Sequence, residues 1–197
     1  MLFVVGGAAR SGKSTLARTL LERERVPYVS TDYVVSGLHH GAPELGIRHE
    51  DPNPGRSQKV WPILEPMARN ILEVEVGYTI EGDVVVPAGV AGLRDRYPGQ
   101  VRACFLAFPQ WSPEHAMEIW KEYPDPINDW LAGLDQPDLL ALAEEMVSYS
   151  RWLSGECARW NLPFIDVGIG RAESQAQALD ELLGAGEDRL TLPTRPR

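Results

Sequence analysis

The sequence predicts an α/β fold: a five-stranded parallel sheet with helices on both faces and a short lid. Three observations predict it. Short apolar runs alternate with longer stretches of helical spacing, beginning with Leu2 to Val5 and Lys13 to Glu24. A glycine-rich turn, Gly6-Gly7 to Gly12, joins the first run to the first helix. The length of 197 residues suits one compact domain. Alternating strands and helices imply crossover connections, and such sheets bind ligands beyond the carboxyl ends of their strands. The segments after Val5, Val29 and Ile80 are therefore expected to carry the chemistry.

Leu16, Ala17, Leu20 and Leu21 lie on one face of the first helix. Pro27 to Ser30 is the second strand. Gly41, Pro43, Gly46, Pro52, Pro54 and Gly55 then break regular structure, so a long loop is expected after Asp32. Ser57 is the expected N-cap of a helix that carries Val60, Ile63, Leu64, Met67, Ile71 and Leu72. The third strand falls within Tyr78 to Val86 and the fourth spans Val101 to Phe108. Ser112-Pro113-Glu114 combines a capping serine, a proline at the first helical position and an acid in the first turn. Residues 122–137 carry four breakers, Pro124, Pro126, Gly133 and Pro137, and are expected to form the lid. A long helix from Leu139 to Trp160, a fifth strand from Leu162 to Val167 and a helix from Ala172 to Leu183 complete the pattern. One domain over residues 1–184 is expected, with an acceptor-binding loop and helix about 37–76 and a flexible tail over 185–197.

The hydrophobic fraction of 44% and charged fraction of 24% are ordinary for a globular chain. No apolar run approaches the roughly 20 residues of a membrane-spanning helix. Met1 to Val5 reads as a strand, lacking the basic region and cleavage site of a signal peptide. Cys104 and Cys157 have neither disulfide-framework nor metal-ligand spacing, which fits two buried thiols in a reducing cytoplasm. The net charge of −9 disfavours nucleic acid as a partner, since phosphate contacts demand a basic surface.

Gly7-Ala8-Ala9-Arg10-Ser11-Gly12-Lys13-Ser14 is a complete phosphate-binding loop, of the pattern Gly-x-x-x-x-Gly-Lys-Ser/Thr. Gly7 and Gly12 permit backbone conformations that aim successive N–H groups, those of Ala9, Arg10 and Ser11 among them, at phosphate oxygens. Lys13 adds a point charge at the β- and γ-phosphates, and the helix N-terminus adds to its field. Ser14 offers a hard oxygen for Mg²⁺, and Thr15 a second hydroxyl within reach of an α-phosphate. The predicted cofactors are ATP and Mg²⁺, in a three-layer P-loop NTPase fold.

Two acids extend the pattern. Asp32, after the second strand, is placed to accept a hydroxyl proton from an acceptor or to hold Mg²⁺ through water. Helix capping is the structural alternative. Glu81 ends the third strand, where an acid partners the magnesium of such a cradle. Asp83 reads as a solvated loop acid.

At these residues the chain resembles the small P-loop kinases, a group that includes nucleoside monophosphate, shikimate and gluconate kinases and chloramphenicol phosphotransferase. Ser30-Thr31-Asp32 and the Ile-Glu-Gly-x-Val-x-x-Pro of residues 80–87 are most similar to 2-phosphoglycerate kinase-type sequences. The resemblance implies that Asp32 contacts the phosphoryl acceptor and that Glu81 serves the metal. It also implies that Arg56 and Arg69, flanking the acceptor-site helix, bind an anionic group of the substrate. Solvated arginines are the alternative. Lid arginines, usual in the nucleotide kinases of the group, are absent from residues 122–137, which instead carry Asp125, Asp129 and Asp135. Arg151 then stands as the candidate phosphate clamp, with Arg159 eight residues on and a surface salt bridge as the alternative. Asp166 to Gly170 resembles an adenine-contacting loop, or is a turn that needs glycine. Most of the six tryptophans are expected in the core, with Trp61 or Trp130 available to cover a substrate ring. His39, His40, His49 and His115 are not expected to make a metal site, His39 and His40 pointing apart as neighbours on a regular element do.

The function expected is ATP-dependent phosphoryl transfer to a hydroxyl or phosphate of a small metabolite, catalysed by Lys13, Asp32 and Arg151. A nucleotide-dependent regulatory switch is the alternative, although no guanine-specifying Asn-Lys-x-Asp motif is present. A nucleic-acid end kinase is a third possibility, disfavoured by the charge. Oligomeric state is left open.

Overall fold

The structure is a computed structural model that describes residues 1–75, 77–124 and 129–184. Its sheet contains five parallel strands in the order β2-β3-β1-β4-β5: β1 Leu2–Gly7, β2 Tyr28–Ser30, β3 Tyr78–Gly82, β4 Val101–Ala107 and β5 Phe164–Asp166. Because every strand runs the same way, all five carboxyl ends meet at one edge, as predicted.

Strand alternation builds the layers. Leu2 and Val4 of β1 face a large core with Ile80, Val101 and Phe105. Phe3 and Val5 face the opposite side, against Leu16 and Leu20 of α1 (Lys13–Glu24) and Ala178 and Leu182 of α7 (Arg171–Leu183). The first face is covered by α3 (Gly55–Val74), α4 (Pro87–Arg96), α5 (Pro113–Glu122) and α6 (Gln136–Arg159).

Three local expectations are corrected. Residues following the second strand form α2 (Thr31–Gly41), where a loop was expected. Ser30 caps it, its side chain accepting from Asp32 N at 3.3 Å, and Val35 packs with Ile47, Val60 and Leu64 in a small separate core. Gly41 ends that helix and breaks nothing within it. The N-terminus of α3 precedes Ser57, whose hydroxyl donates to Pro54 O while its N–H donates to Asn53 Oδ1. Helix α4 was not anticipated at all, because its alanines, glycines and arginines give almost no apolar stripe.

Ser112 caps α5 as predicted, accepting from His115 N at 3.2 Å. Of the expected lid, a short 3-10 turn covers Trp130–Gly133, while Asp125 lies outside the described residues, as does the tail 185–197. Among the described residues no helix is long and apolar enough to cross a membrane.

Candidate active site

The cradle follows β1 directly. Gly7 has φ 146° and Gly12 φ 94°, both in the region that favours glycine. A Cβ on Gly7 would run into the Leu106 carbonyl of β4, so the close approach of two strands dictates glycine there. Lys13 is buried, and its Nζ donates to Ala8 O at 2.7 Å across the loop. Ser11 Oγ is buried with no hydrogen-bond partner among the described residues.

Sheet register brings the acids to the cradle. Glu81 pairs with Val5 of β1 on one side and Ser30 of β2 on the other, one residue before the chain leaves the sheet. Its carboxylate accepts from Ser14 Oγ at 3.3 Å. Burial pushes the Glu81 pKa above the ordinary range, against the pull of Lys13 and of hydrogen bonds from Ser30 and Ser14. Asp32 lies in the first turn of α2. Burial and the neighbouring Asp83 charge raise its pKa, while Lys13, Arg56 and His49 oppose that rise.

These groups line one cavity of ≈ 570 Å³ at the carboxyl edge of the sheet. Ala9, Arg10, Ser11, Gly12, Lys13, Ser14 and Thr15 of the cradle contribute, with Asp32, Glu81 and Asp83 beside them. The opposite wall is aromatic. Trp111 stacks on Phe108 with ring centroids 4.6 Å apart and meets the His115 ring edge-on at 5.2 Å. Arg171 lies over the Tyr123 ring at 5.4 Å. Val167, Gly168 and Gly170 of the loop after β5 also line the cavity, and Asp166 Oδ1 fixes that turn by accepting from Gly168 N at 2.9 Å.

Other sequence candidates sit elsewhere. Arg151 Nε donates to Pro109 O at 3.1 Å, and Arg69 pairs with Glu65 one turn away on α3; neither lines the cavity. Arg159 is exposed over the Trp160 ring. Arg56 is engaged by Asp83 at 2.5 Å and by the His49 carbonyl. Asp83 itself corrects the expectation of a solvated acid: its side chain is only 13% exposed. Trp130 lines the cavity, whereas Trp61 packs on Gly89. The histidines do come together, the His39 ring lying 4.5 Å from His40 and 5.3 Å from His49, because the turn after α2 folds back.

Several cavity residues escaped the sequence reading. Arg10 was expected only to hold nucleotide, yet its guanidinium also ties the cradle to the end of α5, bonding Tyr123 O at 3.0 Å and Asp129 at 3.3 Å. His115, Ile119 and Tyr123 recur every four residues, a spacing that marks one helical face and was available as a signal.

A lysine, a hydroxyl–carboxylate pair and a second, exposed acid beside a glycine-framed loop suit a polyphosphate and a divalent cation, although the Ala9 and Ser11 N–H groups here donate to Met146 Sδ and Ala8 O. Ser14 and Glu81 present hard oxygens 3.3 Å apart, a donor set that fits Mg²⁺.

A scan against protein-family models finds no match, and a search of curated proteins finds none either. Solved structures do share the fold. A gluconokinase from Sinorhizobium meliloti 1021 aligns with TM-score 0.58 at 20% identity, over 91% of this chain and 90% of that one. A sugar kinase from Janibacter sp. HTCC2649 gives 0.52 at 16% identity, over 96% and 98%. A shikimate kinase from Bacteroides thetaiotaomicron gives 0.50 at 16% identity, over 94% and 99%. At such identities the likeness establishes the shared α/β fold.

Proposed function

We propose that this chain is an ATP-dependent kinase that transfers the γ-phosphoryl group to an oxygen of a small molecule. The observation that carries the proposal is the convergence of Lys13, the Ser14–Glu81 pair and Asp32 on one cavity, from three neighbouring strands. The names of the solved structures that share the fold support it as an analogy. The two buried thiols suit a cytoplasmic setting.

The cradle amides and Lys13 hold the phosphates and offset charge on them. Ser14 and Glu81 would hold Mg²⁺, which when bound neutralises charge on the β- and γ-phosphate oxygens. Asp32 orients an acceptor hydroxyl and takes its proton as oxygen bonds to the γ-phosphorus and the bridging P–O bond breaks. The products are ADP and a phosphate ester. A raised pKa makes Asp32 a stronger base than an ordinary aspartate once ionised. Arg10 and Arg171 line the cavity and are better placed than Arg151 to meet phosphate oxygens.

The test is ADP release from Mg·ATP with a panel of hydroxylated small molecules, for the parent chain, Lys13→Ala and Asp32→Asn. Acceptor-stimulated turnover is expected to fall about 10²- to 10⁴-fold in Asp32→Asn, the range for losing a general base. Stimulation that survives Asp32→Asn would remove that assignment. ATP binding with no stimulation by any acceptor would favour a nucleotide-dependent regulatory protein.

A further inference from the structure

Asp83 is a built carboxylate. Its Oδ2 accepts from Arg56 at 2.5 Å and from Asn53 Nδ2 at 3.2 Å, and its backbone carbonyl accepts from Tyr149 OH at 2.8 Å. Asn53 is anchored in turn, its N–H donating to Glu145 Oε1 at 3.4 Å. Asp83 and Asp32 line the same cavity, close enough for the Asp83 charge to act on Asp32. Ser11 Oγ and Trp120 Nε1 also lack partners among the described residues; both side chains are 4% exposed and line this cavity, which marks it as a site for a polar ligand.

The basic groups are distributed unevenly. Among the described residues lining the cavity, the basic side chains are Arg10, Lys13, Arg18, His115 and Arg171, from the cradle, α1, α5 and α7. None comes from α2, α3 or the segment after β3, the side that carries Asp32 and Asp83. Arg56, the nearest arginine there, is 12% exposed and occupied by Asp83 and the His49 carbonyl. Arg56 does not line the cavity and its Nε is buried without a partner among the described residues, so an anion reaching the guanidinium from the cavity would meet the Asp83 charge paired beside it.

We infer that the acceptor is an uncharged polyol whose hydroxyls donate to Asp32 and Asp83, and that the Arg56–Asp83 pair closes this end of the cavity to carboxylates and phosphates. An ionised carboxylate only accepts hydrogen bonds, so two of them select hydroxyl donors and repel anions. The inference rests on the phosphoryl-transfer reading and narrows its acceptor from any small-molecule oxygen to a neutral hydroxyl.

The experiment compares ADP release from Mg·ATP stimulated by neutral alditols, cyclitols and aldoses with that stimulated by their matched acids and phosphate esters, for example sorbitol, gluconate and glucose 6-phosphate. The neutral member of a set is expected to exceed its anionic partners in kcat/KM by about a hundredfold or more, the scale of opening a buried ion pair. Asp83→Asn, checked for folding by circular dichroism, is expected to lose about tenfold or more in kcat/KM for the neutral acceptor and to narrow the gap to the anion. Equal or better turnover with the anions overturns the inference while leaving the kinase reading intact. ATP binding and hydrolysis with no stimulation by any neutral polyol also overturns it. An unchanged preference in a folded Asp83→Asn protein removes Asp83 from the selection. Failure to bind Mg·ATP at all would instead sink the phosphoryl-transfer reading beneath it.

Discussion

Desolvation by the surrounding protein and then the Asp83 charge raise the Asp32 pKa, although the residue is exposed. Because its pKa is higher in the folded chain than in the unfolded one, the folded state binds more protons between the two values. Its contribution to stability is therefore best at low pH and declines as pH rises through the folded pKa. Activity runs the other way, since only the ionised form accepts a proton. Asp32→Asn is expected to raise the melting temperature at neutral pH while sharply lowering stimulated turnover; a lower melting temperature would contradict this account. In the parent chain kcat/KM should fall on acidification at a pH above the ordinary aspartate range of about 3.9. The cradle residues were legible in the sequence because their spacing alone carries the chemistry. Asp83 was not, because its setting is made by Asn53, Arg56 and Tyr149, 30, 27 and 66 positions away.

Among the elements, the strands and α1, α5, α6 and α7 could be read from apolar runs and caps, whereas α2 and α4 could not. Their stability comes from what they pack against. Helix α4 shows this at Gly89, where a Cβ would run into the Trp61 indole of α3. Alanine would gain up to about 1 kcal/mol of helix propensity. Overpacking against this half-buried ring costs about 1–3 kcal/mol. Gly89→Ala is therefore expected to lower stability in urea unfolding, and an equal or higher midpoint would show that Trp61 moves freely. Helix α5 presents His115 and Ile119 to the cavity and Ala116 and Met117 to the core, while Trp120 lies between and touches both.

Across the whole molecule, parallel topology gathers cradle, acids and aromatic wall at one edge of a single sheet. That arrangement followed from alternating strands and helices. Arg10 came with the cradle motif, but that Arg18 of α1 and Arg171 of α7 reach the cavity and Arg151 does not depends on how those helices pack. Ligand binding should therefore act on the fold as a unit. Mg·ATP at about 100 times its Kd is expected to add about 2.7 kcal/mol of stability, seen as a rise in melting temperature that Lys13→Ala diminishes. The central claim is transfer of a phosphoryl group, and ³¹P NMR of Mg·ATP with a stimulating acceptor tests it most directly. The account predicts a phosphate-ester resonance growing in step with ADP, absent for Lys13→Ala. ATP consumed to inorganic phosphate alone, or the same ester formed by Lys13→Ala, would contradict it.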